Sequence, residues 1–410
     1  MADYVVKTNI VSLSAGGPRV MARKSDGSLW CVYYRSDGSR HQIYCSYSTD
    51  DGETWTEEQV TSATATNHQR NACIAIDSED NVHIAWRGKG WPATTTAYSI
   101  VYCERTDTWQ TPEVVANAAV DQEYCAIAVD SDDDIHVAFY GKGWGVNSSN
   151  SQIQYRKRTD SWQAQEAITD TAFNNYSVGM AIDSQDYVHL VWYDASLGYN
   201  NIKYRKRTDS WQDTELVTNV EVDQTDACIA IDSEDNVHIA WRGKGWGDYI
   251  DRYSVRYRKR TDSWQTQEAI TNIDASQTDL TIAIDSSDNI HVVWSGYGWG
   301  DYISNQNIQY RKRTSEGWQT QEAITNSATE DISCNLLWAN YPLVSGVRTN
   351  RTKIGYAFVW MNGATLTYHP SNDLTWDEEP PPPLELSGSV AGQSTVQAAL
   401  QSAKELSGSA

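Results

Sequence analysis

Phenylalanine is nearly missing from this chain: 3 in 410 residues, beside Trp 18 and Tyr 24. A plain apolar core would use more of it. The aromatic load instead suits rings that pack along one edge and hydrogen-bond or stack with the other. Basic residues are scarce too. Lys+Arg 32 against Asp+Glu 54 leaves a net charge of −22, which repels phosphate backbones and disfavours nucleic acid and anionic membranes as partners. No run approaches the roughly 18 apolar residues of a membrane span, so membrane insertion is not expected. The start, MADYVVKTNIVSL, has no basic stretch leading into an apolar one, and no Sec signal peptide is read there. Cys31, Cys45, Cys73, Cys103, Cys125, Cys228 and Cys334 form no CxxC pair. That argues against a zinc site or a disulfide scaffold and for buried free thiols. No helical pattern of adequate length occurs before residue 390.

What is present is a repeat. ACIAIDSEDNVHIAWRGKGW occurs at 72–91 and again, unchanged, at 227–246. Looser copies lie at 125–145, 179–194 and 281–300, and the anchoring residues Asp77, Asp130, Asp183, Asp232 and Asp285 are spaced by 53, 53, 49 and 53. Each copy continues into a segment such as IQYRKR (153–158) and another such as WQAQEAIT (162–169). Every segment reads as a strand of Val, Ile, Tyr and Trp bounded by Gly, Asn or Asp. The tight turn has Asn81, Asn236 or Asn289 where a left-handed residue is expected, and Gly27 in a divergent first copy. Four antiparallel strands per unit of about 50 residues predict an all-β, seven-bladed β-propeller. The expected blades cover about 18–69, 70–120, 121–171, 172–220, 221–272, 273–326 and 327–376. The seventh lacks a fourth strand, because DEEPPPP follows Trp376 at once. The N-terminal run 4–13 is predicted to fill that gap and close the ring.

YSTDDGETW (47–55) matches the pattern SxDxGxTW, with Ser48, Asp50, Gly52, Thr54 and Trp55 in place. In this the chain resembles the Asp-box, or BNR-repeat, propellers, a superfamily of sialidases and non-enzymatic lectin-like proteins. The resemblance covers residues 4–376. It implies a structural role for the box, on the face away from the ligand. Ligands would then meet the loops between second and third strands: RGKGWP (87–92), YGKGWG (140–145), RGKGWG (242–247) and SGYGWG (295–300). Arg87, Lys89, Trp91, Lys142, Trp144, Arg242, Lys244, Trp246, Tyr297 and Trp299 are the candidate binding residues there, with Tyr199 the substitute in blade 4. Flat indoles stack on the C–H faces of sugars, and Lys, Arg and Tyr bond hydroxyls or acids. Copied blades would share such loops in any case, each indole packing on a neighbouring loop, so both readings stay open at this point.

His83, His136, His189, His238 and His291 recur at one place per blade. Equivalent strands point around the ring and do not converge on one ion, so a structural bond to the neighbouring acidic turn is expected. Turns such as DSEDN offer oxygens of the kind calcium prefers, but too few for more than a weak site, and no cofactor is expected. The four RKR runs (156–158, 205–207, 258–260, 311–313) fit ladder and interblade salt bridges better than a nucleic-acid stripe. In a sialidase the resemblance implies an arginine triad, a Tyr/Glu nucleophile pair and an Asp acid. Arg19 resembles the first triad arginine, while neither a Tyr/Glu pair nor an Asp acid can be placed, so no catalytic residue is assigned.

The Pro-rich 377–384 reads as a stiff spacer, and 385–410, where ELSGS restarts after 20 residues, resembles stalk repeats of phage and other surface fibres. The expectation is a non-enzymatic, glycan-binding propeller. It would sit on a virion or extracellular fibre, with the C-terminal segment contacting virion or fibre proteins. The alternatives are a structural decoration protein of a virion and a sialidase-like glycoside hydrolase.

Overall fold

The computed structural model describes residues 4–10, 19–36, 38, 40–61, 68–91, 96–338, 352–354, 356–362, 365–370 and 375–377. The spacer and stalk expected at 377–384 and 385–410 lie outside these, apart from Asp377.

Seven antiparallel sheets surround an axis, each with its first strand innermost. Blade 1 is built from Met21–Arg23, Leu29–Ser36, His41–Ser48 and Thr56–Gln59. The inner strands of blades 2 to 6 are Gln69–Ile76, Gln122–Val129, Asn175–Ile182, Gln224–Ile231 and Gln277–Ile284. Blade 7 contributes Asp331–Trp338, Tyr356–Asn362 and Thr365–Pro370. Its fourth strand comes from the other end of the chain: Tyr4–Thr8 pairs antiparallel with Thr365–Tyr368. The predicted closure is thus made, over a shorter strand than expected. Thr352–Ile354 and Thr375–Asp377 form a separate two-stranded ribbon.

The repeated residues build one buried unit in each of blades 2 to 6. In blade 4, His189 donates from Nε2 to Asp183 Oδ2 at 2.9 Å, and its Nδ1 lies 2.7 Å from the Tyr204 hydroxyl. The same chain recurs as Asp77–His83–Tyr102, Asp130–His136–Tyr155, Asp232–His238–Tyr257 and Asp285–His291–Tyr310. The histidines are therefore structural. Each aspartate is fully used: Asp77 Oδ1 also accepts from the Glu79 and Asn81 amides, and Oδ2 from the Asn81 side chain. Those oxygens are taken up within the turn and by the histidine.

The left-handed position of these turns is one residue earlier than the sequence suggested. Asp80, Asp133, Asp186, Asp235 and Asp288 carry φ of 58 to 65°, and Gly27 stands in their register in blade 1. The asparagine is instead held by Asp77. Aspartate tolerates the left-handed region, and its carboxylate there reaches across to the preceding blade. Asp235 accepts from the Ser184 amide and hydroxyl at 2.9 and 2.7 Å. Equivalent bonds join Ser25 to Asp80, Ser78 to Asp133, Ser131 to Asp186 and Ser233 to Asp288.

Further out, in blades 3 to 6 the Trp before the fourth strand packs edge-on against the preceding blade's tyrosine: Trp162 on Tyr102 at 5.3 Å, Trp211 on Tyr155 at 5.2 Å, Trp264 on Tyr204 at 5.4 Å and Trp318 on Tyr257 at 5.3 Å. The RKR runs serve the same seam. Arg205 donates to the Ile168 carbonyl of blade 3 at 2.6 Å, Lys206 to Asp183 of its own blade at 2.9 Å, and Arg207 pairs with Glu166 of blade 3. In blade 1 the Asp-box closes on itself. Asp50 accepts from the Thr54 amide (2.8 Å) and hydroxyl and from Ser48, and Trp55 donates to the Gly52 carbonyl at 2.9 Å. The bonds from Thr54 and Ser48 hold the Asp50 carboxyl down at about 2. Cys31, Cys45, Cys73, Cys103, Cys125 and Cys228 are buried free thiols.

The buried chains set the acid stability. Burial works to raise Asp285, but the bonds from His291 and Asn289 outweigh it and bring it from 3.8 to about 2. Asp130, Asp183 and Asp232 are lowered by the same opposition. Burial lowers His189 and His238 below 6.5 and so keeps them neutral. In both cases the unfolded chain binds more protons than the folded one, so stability falls with pH. The histidine part is lost below about 6.5 and the carboxylate part between about 4 and 2. Melting temperatures recorded across pH 7 to 3 are expected to fall throughout. A flat profile would show that these chains add no stability.

Candidate functional site

Antiparallel blades place the acidic turns and Asp-box turns at one end of the ring. The second-to-third-strand loops and the interblade connections share the other. At that second end blades 2 to 6 repeat one device. Gln69, Gln122, Gln224 and Gln277 begin their inner strands fully buried, and Asn175 does so in blade 4. Each amide oxygen accepts an indole N–H: Gln69 from Trp86, Gln224 from Trp241 and Gln277 from Trp294, all at 2.8 Å, and Asn175 from Trp192 at 3.0 Å. The glutamine lies where a side chain on the partner strand would project. A Cβ at Gly88, Gly141, Gly243 or Gly296 would strike its amide oxygen. Blade 4, with the shorter asparagine, has room for Asp194 at that place.

This device fixes where the loop tryptophans go. In blade 3 the core position holds Phe139, and Trp144 donates to Gln122 instead, at 2.7 Å. Trp299 shares Gln277 at 3.3 Å, Trp246 lies with its ring 5.9 Å from the Arg256 guanidinium, and Trp91 packs against the core of blades 1 and 2. All four are half-buried and folded back on their blades rather than standing free. Lys142 is exposed, as is Tyr199 on the blade 4 loop, and Tyr297 reaches Glu330 at 3.4 Å. These residues are spread around the rim, with no shared centre.

A different set does converge. After the repeated Gln or Asn, each inner strand of blades 2 to 6 has a β-bulge, and Asn71, Ser177, Asp226 and Asp279 there have positive φ. A bulge re-aims the adjacent side chains, and it does so at positions that differ from blade to blade. The result is one continuous band over blades 1 to 5. At its first end Arg70 donates from Nε to His41 Nδ1 at 2.8 Å, and the His41 amide donates to His68 Nδ1 at 3.3 Å. Both imidazoles are thereby neutral with the proton on Nε2. Burial, then Arg70, lowers the pKa of each. Next, Arg87 lies opposite Arg70 in the strand register, ion-paired to Glu123 and stacked on Tyr98 and Tyr124 at 4.7 and 5.6 Å. Four tyrosines follow: Tyr124 against Tyr140 at 6.1 Å, Tyr140 against Tyr176 at 5.7 Å, and Tyr176 against Tyr193 at 5.6 Å. Burial raises Tyr140 and Tyr193, so both keep their protons. The band ends on Arg242, paired with Asp226 at 2.5 Å and 5.0 Å from the Tyr253 ring.

Of the residues expected from sequence, Arg87 and Arg242 belong to this band. Lys89 and Lys244 flank it, over Tyr98 at 4.6 Å and Tyr253 at 4.7 Å. His41, His68, Arg70, Glu123, Tyr124, Tyr140, Tyr176, Tyr193 and Asp226 were not anticipated. Their signal was divergence: in a repeat otherwise copied almost letter for letter, these positions change. Arg19 stands elsewhere, in the axial channel beside Ala126, Met180, Cys228 and Thr281, where burial lowers its pKa.

No protein family and no curated protein is matched by the sequence. Solved structures are matched by fold. An ulvan lyase of polysaccharide lyase family PL25, bound to -[GlcA(1-4)Rha3S]-, has a TM-score of 0.65 at 9% identity, covering 91% of this chain and 96% of its own. The polysaccharide lyase Uly1 has a TM-score of 0.53 at 10% identity, covering 89% and 92%. A Penicillium chrysogenum α-L-arabinanase complexed with arabinobiose has 0.51 at 9%, covering 90% and 98%. For this chain such identities establish the fold.

They also correct the expectation of a non-enzymatic binder. That reading rested on the missing sialidase set, and these propellers of the same architecture are named for cleaving polysaccharides without being sialidases. The missing sialidase set is therefore no argument against an enzyme on this architecture.

The Gln–Gly contact is directly testable. Gly243→Ala should destabilise the protein by about 1–3 kcal/mol through overpacking against Gln224. Adding Gln224→Asn, the blade 4 solution, should recover part of that loss in urea titrations. A neutral Gly243→Ala would mean the glutamine is free to move.

Proposed function

We propose that the protein is an enzyme that depolymerises an acidic polysaccharide on the tyrosine band. The observation that carries this reading is the donor group at one end of the band. Among the described residues the terminal nitrogens of Arg70 have no carboxylate partner. Among the described residues the Nε2 protons of His41 and His68 have no acceptor either. One cation and two neutral donors suit a carboxylate or sulfate. The tyrosine faces beyond are suited to the C–H faces of successive sugars, and the second cation, Arg242, suits an acidic chain crossing the face.

With a uronate carboxylate on Arg70, its negative charge is neutralised and the neighbouring C5–H becomes more acidic. Glu123, next to Arg87 and Tyr124, takes that proton. The electron pair forms the C4=C5 double bond, the C4–O bond breaks, and a tyrosine of the band that has kept its proton returns one to the leaving oxygen. This is β-elimination. Polymers of this kind lie outside cells, so a virion or extracellular setting, with the C-terminal segment as its attachment, forms part of the proposal.

Incubation with ulvan, polygalacturonate, alginate and hyaluronan decides it. Elimination gives shortened chains whose new ends absorb in the near ultraviolet, and Arg70→Gln should lower the rate at least 100-fold while leaving the melting temperature in place. New reducing ends without that absorbance would mean hydrolysis, with Glu123 and Asp226 as the acid–base pair. No shortening of any of the four polymers would overturn the reading.

A further inference from the structure

Blade 4 departs from its neighbours at one place other than the band, and all the departures face a single space. Its loop, YDASLGYNN, has no tryptophan to fold back. Asp194 replaces the glycine, and Lys203 stands where blades 3 and 6 have Gln154 and Gln309 and blade 5 has Arg256. Thr214 stands where Gln165 and Gln321 fill the slot by bonding Gln154 and Gln309, at 2.9 and 3.0 Å. In blade 5 the slot is covered by Trp246 over Arg256. In blade 4 it is open: a cavity of about 350 Å³ between blades 3 and 4, lined by Trp192, Asp194, Ser196, Lys203, Thr214 and Phe173.

We infer that this cavity is a binding site for a single neutral sugar residue, separate from the band. Lys203 is 7% exposed and Asp194 5%. Lys203 donates to Ser196 Oγ at 3.0 Å, Ser196 donates to Asp194 Oδ1 at 2.7 Å, and the ion pair itself spans 3.5 Å. One ammonium proton and the second carboxylate oxygen are left for a ligand. A bare anion meets Asp194 and Asp170, and a bare cation meets Lys203. A vicinal diol satisfies both groups, one hydroxyl accepting from the ammonium and the other donating to the carboxylate. Phe173, 44% exposed, offers an aromatic face at the mouth, and the volume falls within the ~300–1,000 Å³ of small-molecule sites. Burying two charged groups beside an open cavity is costly unless something completes their bonding.

The inference shares with the proposed function only the class of ligand. Its test is calorimetric titration of the full chain with D-glucose, D-galactose, L-rhamnose, L-fucose and L-arabinose. At least one should bind. Asp194→Gly with Lys203→Gln installs the residues that blade 3 already carries, Gly141 and Gln154, and should weaken that sugar at least tenfold. Polysaccharide cleavage by this variant should be unchanged. Thr214→Gln, which narrows the slot without touching the ion pair, should weaken the same sugar if the double variant folds poorly. Wild type that binds none of the five, or binding that survives both variants, would overturn the inference. Wild type that binds a sugar but cleaves none of the four polymers would count against the band alone.

Discussion

Blades 2 to 6 each hang on a buried carboxylate held by its own turn and its own histidine. In the Asp–His–Tyr chain, the aspartate organises the hairpin, the histidine spans to the third strand, and the tyrosine presents its ring to the tryptophan of the following blade. Hydrogen bonds within a blade and aromatic packing between blades are thus serial parts of one linkage. Removing the histidine would leave a buried carboxylate and a buried phenol short of a partner, the costly form of a broken network. This linkage lets the rest of the surface vary without loss of the frame.

The two ends of the ring use that freedom differently. The turn end repeats itself: serine to aspartate, from blade 1 through blade 6. At the other end the frame stops at the buried glutamine or asparagine. Beyond it the bulged residues change from Arg to Glu–Tyr to Tyr to Thr–Asp. The side chains at that end are asymmetric even though the scaffold is nearly symmetric.

The fold was legible because the repeat exposes it: period, strand punctuation and the missing last strand together leave few architectures. The site was less legible. The eye is drawn to what recurs, such as GKGW, and those tryptophans turn out to be half-buried partners of their own blades. The informative positions were the inconstant ones, Arg70, Glu123, Tyr176, Thr225 and Thr278, and likewise Arg87, Tyr140, Tyr193, Arg242 and Ser295 after the core aromatic. Nothing in the letters announces the β-bulge that turns them to one side. The left-handed turn residue was misplaced by one for a related reason: asparagine is the commoner occupant, and the contact that selects aspartate belongs to the preceding blade.

The strand Tyr4–Thr8 leaves the ribosome before any blade, yet its partner, Thr365–Tyr368, is made only after more than three hundred further residues. Until then it has no sheet to join, while blades 1 to 6 complete themselves from local hairpins. Closing so long a loop carries the largest entropic cost of any strand pairing in the ring, and long-range pairing of this kind is slow. Inside blade 7, between its third and fourth strands, the circle is joined by hydrogen bonds and packing alone, whereas the strands of blades 2 to 6 are joined along the chain.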